Sequence, residues 1–109
     1  MTLRYWKVTP DDIQPEVNLV LTSIVAVKMS GSTFWVTAIT NGEHMEGSLH
    51  YEGFAVDGVV YSGGEVNAQG NTRLTHLLQR NLLPDGYDVI LEDRGTGNEH
   101  IHIEFDPDY

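Results

Sequence analysis

The chain has no cysteine, so a disulfide framework and a thiolate metal site are both excluded. Any metal it holds must be bound by imidazole and carboxylate groups. Basic residues are scarce: 6 Lys and Arg stand against 16 Asp and Glu, a formal charge of -10. Binding to a nucleic-acid backbone depends on clustered cations, so no nucleic-acid partner is expected. Long apolar runs are missing too. None approaches the ~20 residues that cross a bilayer, so no membrane span is expected. The opening "MTLRYWKVTPDD" lacks the charged-then-apolar layout of a signal peptide, which implies cytoplasmic synthesis and release by some other route. Internal repeats and low-complexity tracts are also absent. With 109 residues, of which 40% are hydrophobic, the chain has the material for a single domain over 1–109.

Periodicity predicts an α+β domain: a small antiparallel sheet with two helices packed on one face. "RYWKV" at 4–8 reads as a short strand. Val17, Val20, Leu21, Ile24, Val25 and Lys28 recur at helical spacing between Pro15 and Gly31, which predicts a helix over 15–30. "STFWVTAIT" at 32–40 is β-branched and aromatic and reads as a strand closed by Asn41-Gly42. "FAVDGVVY" at 54–61 is a second such strand. Gly63, Gly64 and Gly70 suggest a loop, with Thr72 capping a second helix whose stripe is Leu74, Leu77, Leu78 and Leu82. His76 falls off that stripe and reads as solvated. "YDVILED" at 87–93 and "HIHIEF" at 100–105, separated by "RGTGN", read as a hairpin. The acidic cluster Asp85, Asp88, Glu92 and Asp93 reads as a charged solvent face rather than a calcium site.

Four of the five histidines occupy positions 44, 50, 100 and 102. A strand puts residues two apart on one face, so His100 and His102 point together while Ile101 and Ile103 enter the core. An HxH pair alone is usually an exposed surface feature. His50 and Asp57 lie seven apart across "HYEGFAVD", with Gly53 free to bend the chain between them. A histidine entering a strand, a carboxylate on that strand and a histidine from a neighbouring strand supply two nitrogens and one oxygen, leaving a tetrahedral ion one vacant position. Three ligands plus water is the catalytic arrangement, which points to hydrolysis. Asp57-Gly58 is also a common turn pair. However, a turn would break an apolar run better explained by a continuous strand, and a carboxylate inside such a run needs a partner.

The pattern "G-x-H-x-E-x-S-L-H-Y-E-G-x-A-V-D" at 42–57, with "H-I-H" at 100–102, resembles the zinc DD- and LD-carboxypeptidases and dipeptidases that cut D-alanyl peptides, and the N-terminal domain of hedgehog proteins. The resemblance spans roughly residues 32–105. It implies a hedgehog/DD-peptidase-like fold, zinc on His50, Asp57 and His102, and Glu99, three before the last ligand, as general base. Glu92 is the alternative base, because hedgehog proteins carry their glutamate farther from the histidine pair. His44 and His100 would steady the oxyanion or orient a ligand. Strict alternation puts Glu99 on the face opposite His102, so this role requires Glu99 to sit in the turn before the strand.

The implied function is a zinc metallopeptidase acting on a short peptide of bacterial cell-wall (peptidoglycan) type, such as a phage-type lysis enzyme or a cytoplasmic dipeptidase. A hedgehog-like zinc-binding module without turnover is the alternative. The peptidases carry an arginine for the substrate carboxylate, but "TNGEHMEG" has neither Arg nor Lys, leaving Arg73 and Arg94 as the candidate replacements. The net charge would also repel anionic murein unless the cleft reverses it locally.

Overall fold

The computed structural model describes residues 1–39, 53–82 and 85–106. Among the described residues six strands form one sheet: β1 (Thr2–Tyr5), β2 (Ser32–Ala38), β3 (Ala55–Ser62), β4 (Glu65–Val66), β5 (Tyr87–Glu92) and β6 (His100–Phe105). The order is β1-β2-β3-β6-β5, with β4 folded back on β3. Two helices, α1 (Pro15–Val25) and α2 (Ala68–Leu77), complete the α+β domain. Among the described residues no helix is long and apolar enough to cross a membrane.

The sheet is mixed, which corrects the expected antiparallel one. β1 runs parallel to β2, with Thr2 opposite Thr33 and Tyr5 opposite Val36, whereas the other pairings are antiparallel. The strand lies at 2–5 rather than 4–8 because the chain terminus is anchored: the Met1 ammonium donates to the Val25 and Val27 carbonyls at the end of α1, at 3.3 and 2.8 Å. A cation at a helix C-terminus is electrostatically favoured.

Pro15 starts α1 with its fixed φ, and Val17, Val20, Leu21 and Ile24 turn a fully buried stripe to the core. The helix ends at Val25 rather than 30, so Lys28 is not on it. Thr22 and Ser23 divert their hydroxyls to the Asn18 and Leu19 carbonyls, and Val25 has no core to meet. α2 begins five residues earlier than expected. Asn67 rather than Thr72 caps it, its Oδ1 accepting from the Gly70 amide at 2.8 Å. Gly70 belongs inside the first turn because a Cβ there would press on the Asn67 side chain and on Val60. Beyond Leu77 the helix widens into a π turn over Leu78–Leu82. The stretch from Gly63 to Gly70, expected as a loop, instead opens with the Gly63-Gly64 hairpin that forms β4; both glycines have positive φ. The Asn41-Gly42 turn lies outside the described residues.

Alternation divides the sheet cleanly. Phe34 and Val36 on β2, Val56 and Val60 on β3, Val89 on β5, and Ile101 and Ile103 on β6 form one core with Leu74, Leu78 and the α1 stripe. Both helices therefore cover one face. Gly58, paired with Val36 and Ile101, leaves room for the Phe34 ring, which a Cβ would strike. The residues between these point to the other face: Trp35 and Thr37, Asp57, Val59 and Tyr61, His100, His102 and Glu104, and Glu92. The chemistry-bearing side chains thus share the side that the helices leave uncovered.

Candidate metal centre

Strand register builds the site. Asp57 stands directly opposite His102, and Glu92 directly opposite His100. Asp57 is not a turn residue: it lies inside β3, paired with Ala38 on one side and His102 on the other. His102 Nδ1 is 2.8 Å from Asp57 Oδ1, and its Nε2 is 2.9 Å from Glu104 Oε1. His100 Nδ1 is 2.7 Å from the Asn98 carbonyl, while its Nε2 is 3.0 Å from Glu92 Oε1 and 3.8 Å from Asp57 Oδ2. Glu92 Oε1 also lies 3.9 Å from His102 Nδ1. All four residues therefore converge on one patch of the sheet.

Donor atoms of Asp57, Glu92 and His100 lie within 4.8 Å of one another, a group able to hold a metal ion. Nitrogen and carboxylate donors together suit zinc and neighbouring first-row divalent ions. The Asn98 carbonyl accepts the Nδ1 proton of His100, which in the neutral ring leaves the Nε2 lone pair directed at the cluster. Asp57 is common to this group and to the expected ligand set. His102 adjoins it through Asp57. His50 and His44 lie outside the described residues.

Glu99 borders the same cleft as Asp57 and His100, with both of its oxygens engaged by neighbouring amides. Its carboxylate is buried, with Oε2 accepting from the Asn71 amide of α2 at 2.7 Å and Oε1 from the Gly95 amide at 2.9 Å. The Asn71 hydrogen bond and then the Gly95 amide hold it below the usual carboxylate range, with Arg94 adding to the effect against the upward pull of burial. Glu99 sits in the turn before β6, tied to α2 through Asn71, and borders both the groove along α2 and the cleft that Asp57 and His100 line. The carboxylate beside the imidazoles is Glu92. Glu104 was missed by sequence reasoning, although its position two after His102 on the same strand is a period-two signal for it. Arg73 and Arg94 line a groove along α2 that neither Asp57, Glu92 nor His100 borders.

A second cleft, of about 820 Å³, starts at Asp57 and His100 and runs over the open sheet past Thr37, Trp35, Tyr61 and Trp6. Trp6 and Trp35 meet edge to face at 6.1 Å. Arg4 sits over the Trp35 ring at 5.9 Å. The cleft joins the polar cluster to an aromatic wall, the usual make-up of a small-molecule or peptide site.

The carboxylates set the charge of the imidazoles. The Asp57 hydrogen bond, aided by Glu104, raises His102 to about 9 against the opposing effect of burial. For His100 burial lowers the value, but the Asn98 carbonyl, Asp57 and Glu92 together outweigh it and the net shift is upward. In the metal-free chain His102 is therefore an imidazolium at neutral pH. Its folded value exceeds the unfolded 6.5, so its contribution to stability is complete below pH 6.5 and is lost as pH rises through about 9. The melting temperature of the metal-free protein is expected to fall across that window, by roughly 5 °C for each 1 kcal/mol lost. His102→Gln should flatten the slope, and a wild-type melting temperature constant from pH 6.5 to 9 would contradict it.

Compared with protein-family models, curated proteins and solved structures, the chain matches none.

Proposed function

We propose that the chain is a zinc-dependent peptide hydrolase of the DD-/LD-carboxypeptidase and hedgehog-like kind, acting on a short peptide of bacterial cell-wall type. The observation that carries this reading is the meeting of Asp57, Glu92, His100 and His102 on one uncovered patch of sheet, with Asp57 and His100 lining a cleft of about 820 Å³. The motif resemblance at 42–57 and 100–102 supplies the reaction class.

In this reading Asp57 and His102, with His50 as the resemblance implies, hold the zinc. When bound, zinc supplies Lewis-acid polarisation of the scissile carbonyl. Glu92 takes the role first given to Glu99, because both oxygens of Glu99 are already engaged by Asn71 and Gly95. Glu92 accepts the proton of the attacking water and returns it to the leaving amine. His100, hydrogen-bonded to Glu92, fixes the orientation of the base. Trp35, Tyr61 and Trp6 form the wall against which the flank of the substrate packs.

One observation favours the second reading, a zinc-binding module without turnover: the arginines that would replace the carboxylate-holding residue of the peptidases line the α2 groove instead of this cleft. The test is to incubate the zinc-loaded chain with D-alanyl-D-alanine and with muropeptides while following release of free amine. Turnover that stops on chelation and returns with zinc is the expected result. Bound zinc without hydrolysis across the panel would leave the module reading.

A further inference from the structure

The groove along α2 holds chemistry that the metal cleft does not use. Arg73, Arg80 and Arg94, half of the chain's six basic residues, line a cavity of about 710 Å³ together with Thr72, His76 and Asn81. The chain has 16 acidic residues that could pair with these guanidinium groups. Among the described residues, however, every ion pair within 4.0 Å involves a histidine, and none involves these arginines. The one carboxylate in the lining is Glu99, hydrogen-bonded to Asn71 and Gly95; its charge attracts Arg94, and a single carboxylate does not balance three guanidinium groups. Arg73 and Arg80 are exposed on α2 and the π turn that continues it, and Arg94 approaches from the β5–β6 turn, so two separate parts of the chain bring like charges to one concavity. Such clustering opposes itself unless an anion completes it.

We infer that this groove binds a small phosphate-bearing molecule, with Arg73, Arg80 and Arg94 holding the phosphate oxygens. Guanidinium groups present planar forks of N–H donors that match a tetrahedral oxyanion, and three of them suit a dianion better than a single carboxylate. The Thr72 hydroxyl and the Asn81 amide supply neutral donors beside them. The volume exceeds that of inorganic phosphate, leaving room for an organic portion the size of a sugar. Phosphate polymers are disfavoured because the remaining surface of this acidic chain repels an extended polyanion.

The full-length chain should be titrated at low ionic strength with inorganic phosphate, glucose 6-phosphate and citrate, following binding by calorimetry and by amide NMR shifts. Saturable binding of the two phosphates is expected, with shifts centred on Thr72, Arg73, Arg80 and Arg94 and weaker binding of citrate. Arg73→Ala and Arg94→Ala replace exposed side chains and should each weaken binding tenfold or more, Arg73→Ala at unchanged melting temperature and Arg94→Ala with the small fall that losing its attraction to Glu99 brings, whereas Arg4→Ala, on the other side of the sheet, should leave binding unchanged. Four outcomes overturn the inference: no saturable binding, affinity unchanged in the Arg73 and Arg94 variants, citrate bound as tightly as phosphate, or phosphate binding that is lost in Asp57→Ala and retained in Arg94→Ala.

Discussion

Glu92→Gln is expected to leave zinc bound and the fold intact, yet to lower kcat/KM on the cleaved peptide by about 10²- to 10⁴-fold, the range a general acid–base group supplies. The substitution keeps the shape and a hydrogen-bond acceptor for His100 Nε2, 3.0 Å away, and removes only the capacity to take up a proton. Glu99→Gln separates the two candidate bases. Its carboxylate is buried against Asn71 and Gly95, and the depressed pKa means that its stabilisation is present above the unfolded value and is lost as pH falls through the folded one. Glu99→Gln should therefore lower the melting temperature at pH 7 while leaving kcat of the folded fraction within about a few-fold of wild type. The reverse pattern, with activity lost in Glu99→Gln and kept in Glu92→Gln, would return the base to position 99. Rate measurements must be paired with zinc content, because loss of metal would mimic loss of the base.

Asn71→Ala carries the largest expected loss of stability, about 3 to 5 kcal/mol, because it orphans two buried partners at once. Its Oδ1 accepts from the Val60 amide of β3 at 2.7 Å and its Nδ2 donates to Glu99 Oε2 at 2.7 Å. Removing the side chain leaves a strand amide unpaired in the core and takes the principal donor from a buried carboxylate. A fall in melting temperature on the order of 15 °C corresponds to the lower bound. The same side chain ties α2 to β3 and to the turn that delivers His100, so the variant should also perturb the amide resonances of residues 95–100. Because Asn71 and Glu99 share one network, the double variant Asn71→Ala/Glu99→Ala should cost clearly less than the sum of the single changes. Strict additivity would show that the two do not act together.

Much of this arrangement was legible in the sequence where the signal was periodic. The stripe from Val17 to Ile24, the alternation of "HIHIEF" and the apolar run around Asp57 each have a period tied to one backbone geometry, and each element formed with its expected face to the core. What escaped was set by contacts between distant parts of the chain. β1 runs parallel to β2 because the terminus reaches the end of α1, and no local pattern in "TLRY" encodes that. The start of α2 was hidden because Gly70 looks like a helix breaker, whereas here it makes room for its own cap and for Val60. Glu99 illustrates two signals in conflict. Period two put it opposite His102, while the E-x-x-H spacing suggested otherwise; hydrogen bonds to Asn71 and Gly95 hold it in the turn, where it borders both clefts. Glu92 was an alternative base on resemblance alone, and it is the register of the hairpin that brings it across from His100.

Metal content addresses the zinc reading most directly. The chain, purified without added metal, incubated with zinc and then dialysed, should retain about one zinc per chain by elemental analysis, as expected for a high-affinity three-ligand protein site. Asp57→Ala and His102→Ala should each retain far less at the same protein concentration. A wild-type protein that holds no more zinc than the Asp57→Ala variant would contradict the existence of the centre, and with it the hydrolase built upon it.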